Sequence, residues 1–119
     1  MKYMMLIHQG EAPTPRDPEA WGRLPEEEQQ RVFADYKALN ETPGVTPGLA
    51  LKDPASATTV RVEDGKTLTT DGPFVELKEA IGGYFLLDAD NLDTAIEVAS
   101  RVPAARLGGA IEVRPIEEW

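Results

Sequence analysis

Lys2 to His8 opens the chain as an almost unbroken apolar run, Tyr3-Met4-Met5-Leu6-Ile7, and Gly10 stops it. A run without alternation predicts a strand covered on both faces. Pro25 to Asn40 reads as a helix. A proline opens it, Glu26, Glu27 and Glu28 complement the positive end of its dipole, and Glu27 and Arg31 stand at i, i+4. Val32, Phe33, Tyr36 and Leu39 make its apolar stripe. Leu49-Ala50-Leu51 predicts a short strand between Thr-Pro-Gly punctuation and Asp53-Pro54. Thr58 to Thr70 predicts a hairpin about Asp64-Gly65, a pair suited to a type I′ turn, with Glu63 facing Lys66. Asp71-Gly72-Pro73-Phe74 marks a second turn, and Gly83-Tyr84-Phe85-Leu86-Leu87 a second central strand. Asn91 N-caps a helix that runs to Val102, with Leu92, Ala95, Ile96 and Ala99 on one face, and Pro103 ends it. Ala110 to Ile116 alternates, with Ile111 and Val113 opposed to Glu112 and Arg114.

The 119 residues therefore fall into two β-α-β halves with a hairpin between them. That order predicts a single domain over residues 1–119, an α+β ferredoxin-like βαββαβ sandwich with an extra β-hairpin. Both helices would cover one face of the sheet. The first strand has no polar side, so the other face needs a cover, and a second copy of the chain is the simplest one. A homodimer packed sheet against sheet is the expected assembly.

The stretch from Glu11 to Leu24 stands outside this pattern. It holds Pro13, Pro15, Pro18 and Trp21, and is too long for an ordinary connection. Asp17-Pro18-Glu19 can cap one helical turn that Gly22 would end. The tryptophan argues for a packed loop, or for a lid over a ligand.

Composition narrows the chemistry. Without cysteine there is no disulfide, thiol nucleophile or cysteine metal site, and a single histidine excludes a multi-histidine metal centre. The net charge of −9 with no local basic patch argues against nucleic-acid binding. No run approaches a membrane span or a signal-peptide core, which predicts a soluble cytoplasmic protein with no membrane association. P-loop, nucleophile-elbow and dinucleotide fingerprints are absent, and no cofactor is expected. His8 as a lone axial haem ligand lacks any supporting motif.

Two residues stand out as candidate catalytic groups. His8 is the only side chain that titrates unperturbed near neutrality, and it ends the first strand where sheet edges open into clefts. Asp71 precedes Gly72-Pro73. Proline has no N–H, so the commonest Asx-turn bond is closed to this carboxylate, which could instead orient His8 or hold a polar ligand. The competing readings are a histidine that merely finishes a strand and an aspartate that braces its own turn. Glu76, Lys78 and Glu79 read as a solvated edge, Arg61 as a hairpin surface cation or a contact for an anionic substrate, and Tyr84 and Phe85 as core, or one of them as the floor of a cleft.

Thr70-Asp71-Gly72-Pro73-Phe74-Val75-Glu76-Leu77-Lys78-Glu79 resembles the core motif of DGPF-domain proteins in the YCII-related family. Ile81 to Asp88 is similar to the family's central strand, Asn91 to Ala104 to its second helix, Lys2 to Ile7 to its first strand and Ile111 to Pro115 to its last. The resemblance spans nearly the whole chain. It implies a dimeric α+β barrel. The resemblance does not supply a function; it implies a suspected enzymatic role, a histidine and an aspartate meeting in a cleft, or an association with an extracytoplasmic-function sigma factor. Together with the residues, the two expected directions are a small polar molecule bound or transformed in a cleft near His8 and Asp71, and a non-catalytic accessory or regulatory protein. The chain departs from the family pattern in having no histidine on its first helix, a shorter Thr42–Pro54 loop and a longer Glu11–Leu24 loop.

Overall fold

The structure is a computed structural model and describes residues 1–73 and 81–118. The expectations for Phe74 and for Glu76, Lys78 and Glu79 lie outside the described residues. In chain order the elements are β1 (Lys2–His8), α1 (Pro18–Gly22), α2 (Glu26–Asn40), β2 (Val45–Thr46), a 3-10 turn (Pro54–Ser56), β3 (Thr58–Glu63), β4 (Lys66–Asp71), β5 (Ile81–Asp88), α3 (Leu92–Ser100), α4 (Pro103–Arg106) and β6 (Ala110–Pro115). Four strands form an antiparallel sheet in the order β2-β5-β1-β6, and β3 pairs with β4 in a separate ribbon. This is the ferredoxin-like α+β arrangement with an added hairpin.

Alternation on the central strands divides the sheet into two unlike faces. Tyr3, Met5 and Ile7 of β1 and Phe85 and Leu87 of β5 point to the helices and are buried. Leu39 of α2, Ala95, Val98 and Ala99 of α3, and Val102 and Ala104 close over them. Full burial of a side chain such as Met5 contributes about 1.5–3 kcal/mol. Met4 and Leu6 of β1 and Tyr84 and Leu86 of β5 project the other way, are half-buried, and take no part in that core. The apolar run of β1 thus arises from two faces with different covers, only one of them supplied by this chain's helices.

Several boundaries differ from expectation for identifiable reasons. The edge strand forms at Val45–Thr46 rather than at 49–51, where one isolated bridge joins Ala50 to Gly83. Pro47 offers no N–H between the two, so the ladder breaks there. Phe33 leaves the α2 stripe: it is 58% exposed, and its ring sits edge-on to Trp21 at 5.5 Å. Arg31 pairs with Asp35 at 3.8 Å. On α3 the buried face is Ala95, Val98 and Ala99, while Leu92 and Ile96 are about half exposed. Asn91 caps that helix as expected, its side-chain oxygen accepting from Thr94 N at 2.9 Å. Pro103 does not only stop α3; it occupies the first turn of α4.

The β3–β4 hairpin turns as its sequence predicts. Asp64 and Gly65 have φ of 50° and 74°, the left-handed pair of a type I′ turn, and Glu63 faces Lys66. The hairpin stands off the body, with Val60, Val62 and Leu68 exposed. The radius of gyration is 16.2 Å, against about 13–14 Å for a compact chain of this length. The smallest dimension, 18 Å, is that of one sheet and one helix layer.

Candidate functional site

The two candidate catalytic residues sit on different substructures. His8 ends β1 on the face turned away from the helices, and its Nε2 lies 3.0 Å from Glu112 Oε1. Glu112 of β6 also receives the Arg114 guanidinium. The hydrogen bond from His8, then the one from Arg114, hold the Glu112 carboxyl below the usual carboxylate range. Asp71 is an exposed residue at the end of β4, opposite Thr58 in the hairpin ladder. Its turn is closed by backbone: Gly72 N donates to Ala57 O at 2.7 Å, and Thr59 Oγ1 donates to Gly72 O at 2.8 Å. Among the described residues no hydrogen bond or ion pair joins His8 to Asp71, and Glu112 is the carboxylate that meets the histidine.

The principal hollow lies on the opposite, helix-covered face. An inner chamber of about 400 Å³ opens between α2, the carboxyl end of β1 and the middle of β5. Ile7, Val32, Leu39, Phe85, Ala104 and Leu107 give it apolar walls. Tyr36 and Asn40 of α2 bring polar groups to it. Burial raises the Tyr36 phenol above its ordinary value, so it stays a neutral O–H near neutral pH. An outer recess of about 730 Å³ adjoins the chamber, with Asp17, Lys52 and Asp53 on its rim. Gln9, Thr14, Arg16 and Gly82 border both spaces and form the throat between them. Among the described residues no group of three or more His, Asp or Glu gathers as a metal-ligand set, and no helix is long and apolar enough to cross a membrane.

The proline-rich loop builds the roof of this chamber, and local bonds fix its course. Gly10 has φ of 54°, and a Cβ there would stand 2.5 Å from the Gly108 carbonyl oxygen, so the chain passes the β6 approach at backbone contact. Gln9 Nε2 donates to Ala12 O at 3.1 Å. Asp17 caps α1, accepting from Ala20 N at 3.2 Å, as the Asp-Pro-Glu sequence anticipates. Gln29 Nε2 then ties α1 to α2 through the carbonyls of Trp21 and Leu24, at 2.9 and 3.0 Å. The Arg16 guanidinium donates to the Leu51 carbonyl across the throat.

Arg16 and Gln9 carry no signal in the sequence, and Tyr36 reads there only as part of the α2 stripe. The length of the loop and its tryptophan were the available signals. Neither says that Arg16 reaches a carbonyl thirty-five positions away.

The model of the YCII-related domain matches residues 1–119. The chain belongs to the YCII-related family. An uncharacterized protein of Rhizobium meliloti (strain 1021) is 34% identical over 121 residues, covering 98% of this chain and 92% of its own. This YCII-related chain thus carries the resemblance read from its DGPF motif and flanking strands through its whole length, while its two sheet faces carry different chemistry: a His8–Glu112–Arg114 group on one and a roofed chamber on the other.

Proposed function

We propose that this protein binds a small molecule in the chamber between α2 and the β1–β5 strands, and that it does so as a homodimer. The observation that carries the binding reading is the chamber itself: a largely apolar cleft, partly open to solvent, with a polar throat, of the size range that holds small ligands (~300–1,000 Å³). The ligand site is therefore better placed at Arg16 and Tyr36 than at His8 and Asp71. His8 is engaged with Glu112 on the far face, and Asp71 belongs to the hairpin. Binding is the role these groups support. The test uses N-phenyl-1-naphthylamine, an uncharged probe that fluoresces in apolar surroundings. It should bind the wild type, and Ala12→Leu and Val32→Phe, which each add bulk to the chamber wall, should each weaken it at least about tenfold. Equal binding by the wild type and both variants, all folded by circular dichroism, would remove the chamber as the site.

The dimer reading rests on Met4, Leu6, Tyr84 and Leu86, which form an apolar patch on the sheet face that the helices leave open. A second copy supplies an identical face, and an isologous contact of two such faces gives a four-layer stack of helices, sheet, sheet and helices. Sedimentation equilibrium at micromolar concentration should give twice the 13.0 kDa chain mass; a single 13.0 kDa species would exclude the dimer.

A further inference from the structure

We infer that the ligand of the chamber is an amphipathic monoanion, an apolar body carrying one carboxylate, sulfonate or similar group, and that Arg16 is the residue that selects its charge; the inference rests on the chamber being the binding site. The chain has 21 acidic and 12 basic residues. A chamber lined at random would thus more often meet a carboxylate than a cation. Among the described residues the reverse holds: Arg16 is the only charged residue that lines the inner chamber. The outer recess does not share this bias, because Asp17 and Asp53 line it together with Arg16 and Lys52. Sign selection therefore belongs to the throat, where Arg16 borders both spaces.

The bonding of Arg16 favours an incoming anion. Its hydrogen-bond partner is a neutral one, the Leu51 carbonyl. A guanidinium has five N–H donors, and one bond to a carbonyl leaves a planar edge able to grip a carboxylate or sulfonate through two parallel bonds. The other polar groups agree. Tyr36 holds a neutral phenol and Asn40 an amide in the same chamber, both able to donate. The walls beyond them are Ile7, Val32, Leu39, Phe85 and Leu107, which offer nothing to a second charge. One anionic end at the throat and an uncharged remainder inside is the distribution that leaves no buried charge unpaired.

Paired fluorescent probes test this directly. 8-Anilinonaphthalene-1-sulfonate and N-phenyl-1-naphthylamine share an aromatic body and differ in the sulfonate. Arg16→Gln should weaken the sulfonate about tenfold, the size expected for losing one charge-assisted contact at a partly exposed site. It should leave the uncharged probe within about twofold. Arg16→Lys should recover part of the loss, Lys52→Gln should change neither probe more than about twofold, and octanoate should compete with the sulfonate. Equal weakening of both probes by Arg16→Gln would reduce Arg16 to a strut of the roof, and no effect on either would place the anion elsewhere; both results overturn the inference while the chamber stands. If the uncharged probe fails to bind the wild type, the chamber reading falls and takes the inference with it.

Discussion

His8 Nε2 and Glu112 Oε1 lie 3.0 Å apart on the sheet face that the helices leave open, one residue along β1 from Ile7, which faces the chamber. The period of two in a strand puts these neighbours on opposite sides, so the only histidine and the principal hollow are separated by the thickness of the sheet. The pair has a pH consequence of its own. Glu112 is ionised more readily folded than unfolded, because His8 and Arg114 donate to its carboxylate. A depressed folded value means the contribution is present above the unfolded carboxylate value and is lost as pH falls through the folded one. His8→Leu removes the stronger of these two hydrogen bonds and leaves no donor in its place, so the Glu112 carboxyl should titrate at higher pH than in the wild type. Carbon-13 NMR titration of the glutamate carboxyls reads this; an unchanged Glu112 midpoint would show that Arg114 alone sets it.

Leu86→Lys tests the open face. Two copies of that face packed together would bury the added charge near its symmetry mate, and losing a buried apolar contact to an unpaired charge costs several kcal/mol. The dimer dissociation constant should rise by roughly 100-fold or more. Secondary structure and the chamber should survive, because Leu86 takes no part in the helix-side core. A variant that stays dimeric at the wild-type concentration would move the interface off this face.

Gly48→Ala tests why the edge strand takes its course. A Cβ at position 48 would stand 1.8 Å from the Tyr84 carbonyl oxygen, a backbone atom of β5 that cannot step aside. The 45–51 edge must therefore separate from β5, with a loss of about 1–3 kcal/mol by urea unfolding, as for other overpacked sites. Gly22→Ala, where no atom lies within 4 Å of the new methyl, should leave stability unchanged or slightly raised. Similar losses for both would mean that Gly48 does not approach β5 closely.

The fold was legible because its strands carry unlike patterns. The continuous run of β1, the alternation of β6 and the Asp64-Gly65 turn each specify their element locally, and Asp17 and Asn91 announce the helices they cap. Legibility fell where tertiary contacts decide. Phe33 reads as core by helical spacing, yet it packs on Trp21 from a loop that sequence periodicity cannot position. Leu49–Leu51 reads as a strand, but Pro47 and the close approach at Gly48 leave only a bridge there. The site was less legible still. His8 and Asp71 attract notice by residue type, which reports chemistry and not location. The chamber is built by apolar residues of α2, β1 and β5, of which Phe85 alone has a second reading as a cleft floor besides core, and by an arginine in a proline-rich loop.

The most direct test of the chamber is the methyl NMR spectrum of the protein titrated with octanoate. The account predicts saturable shifts at the methyls of Ile7, Val32 and Leu39, which line the chamber, with Leu6 and Leu86 on the open face unmoved. Shifts at Leu6 and Leu86 with Ile7, Val32 and Leu39 silent would contradict it and put the ligand beside His8 and Glu112.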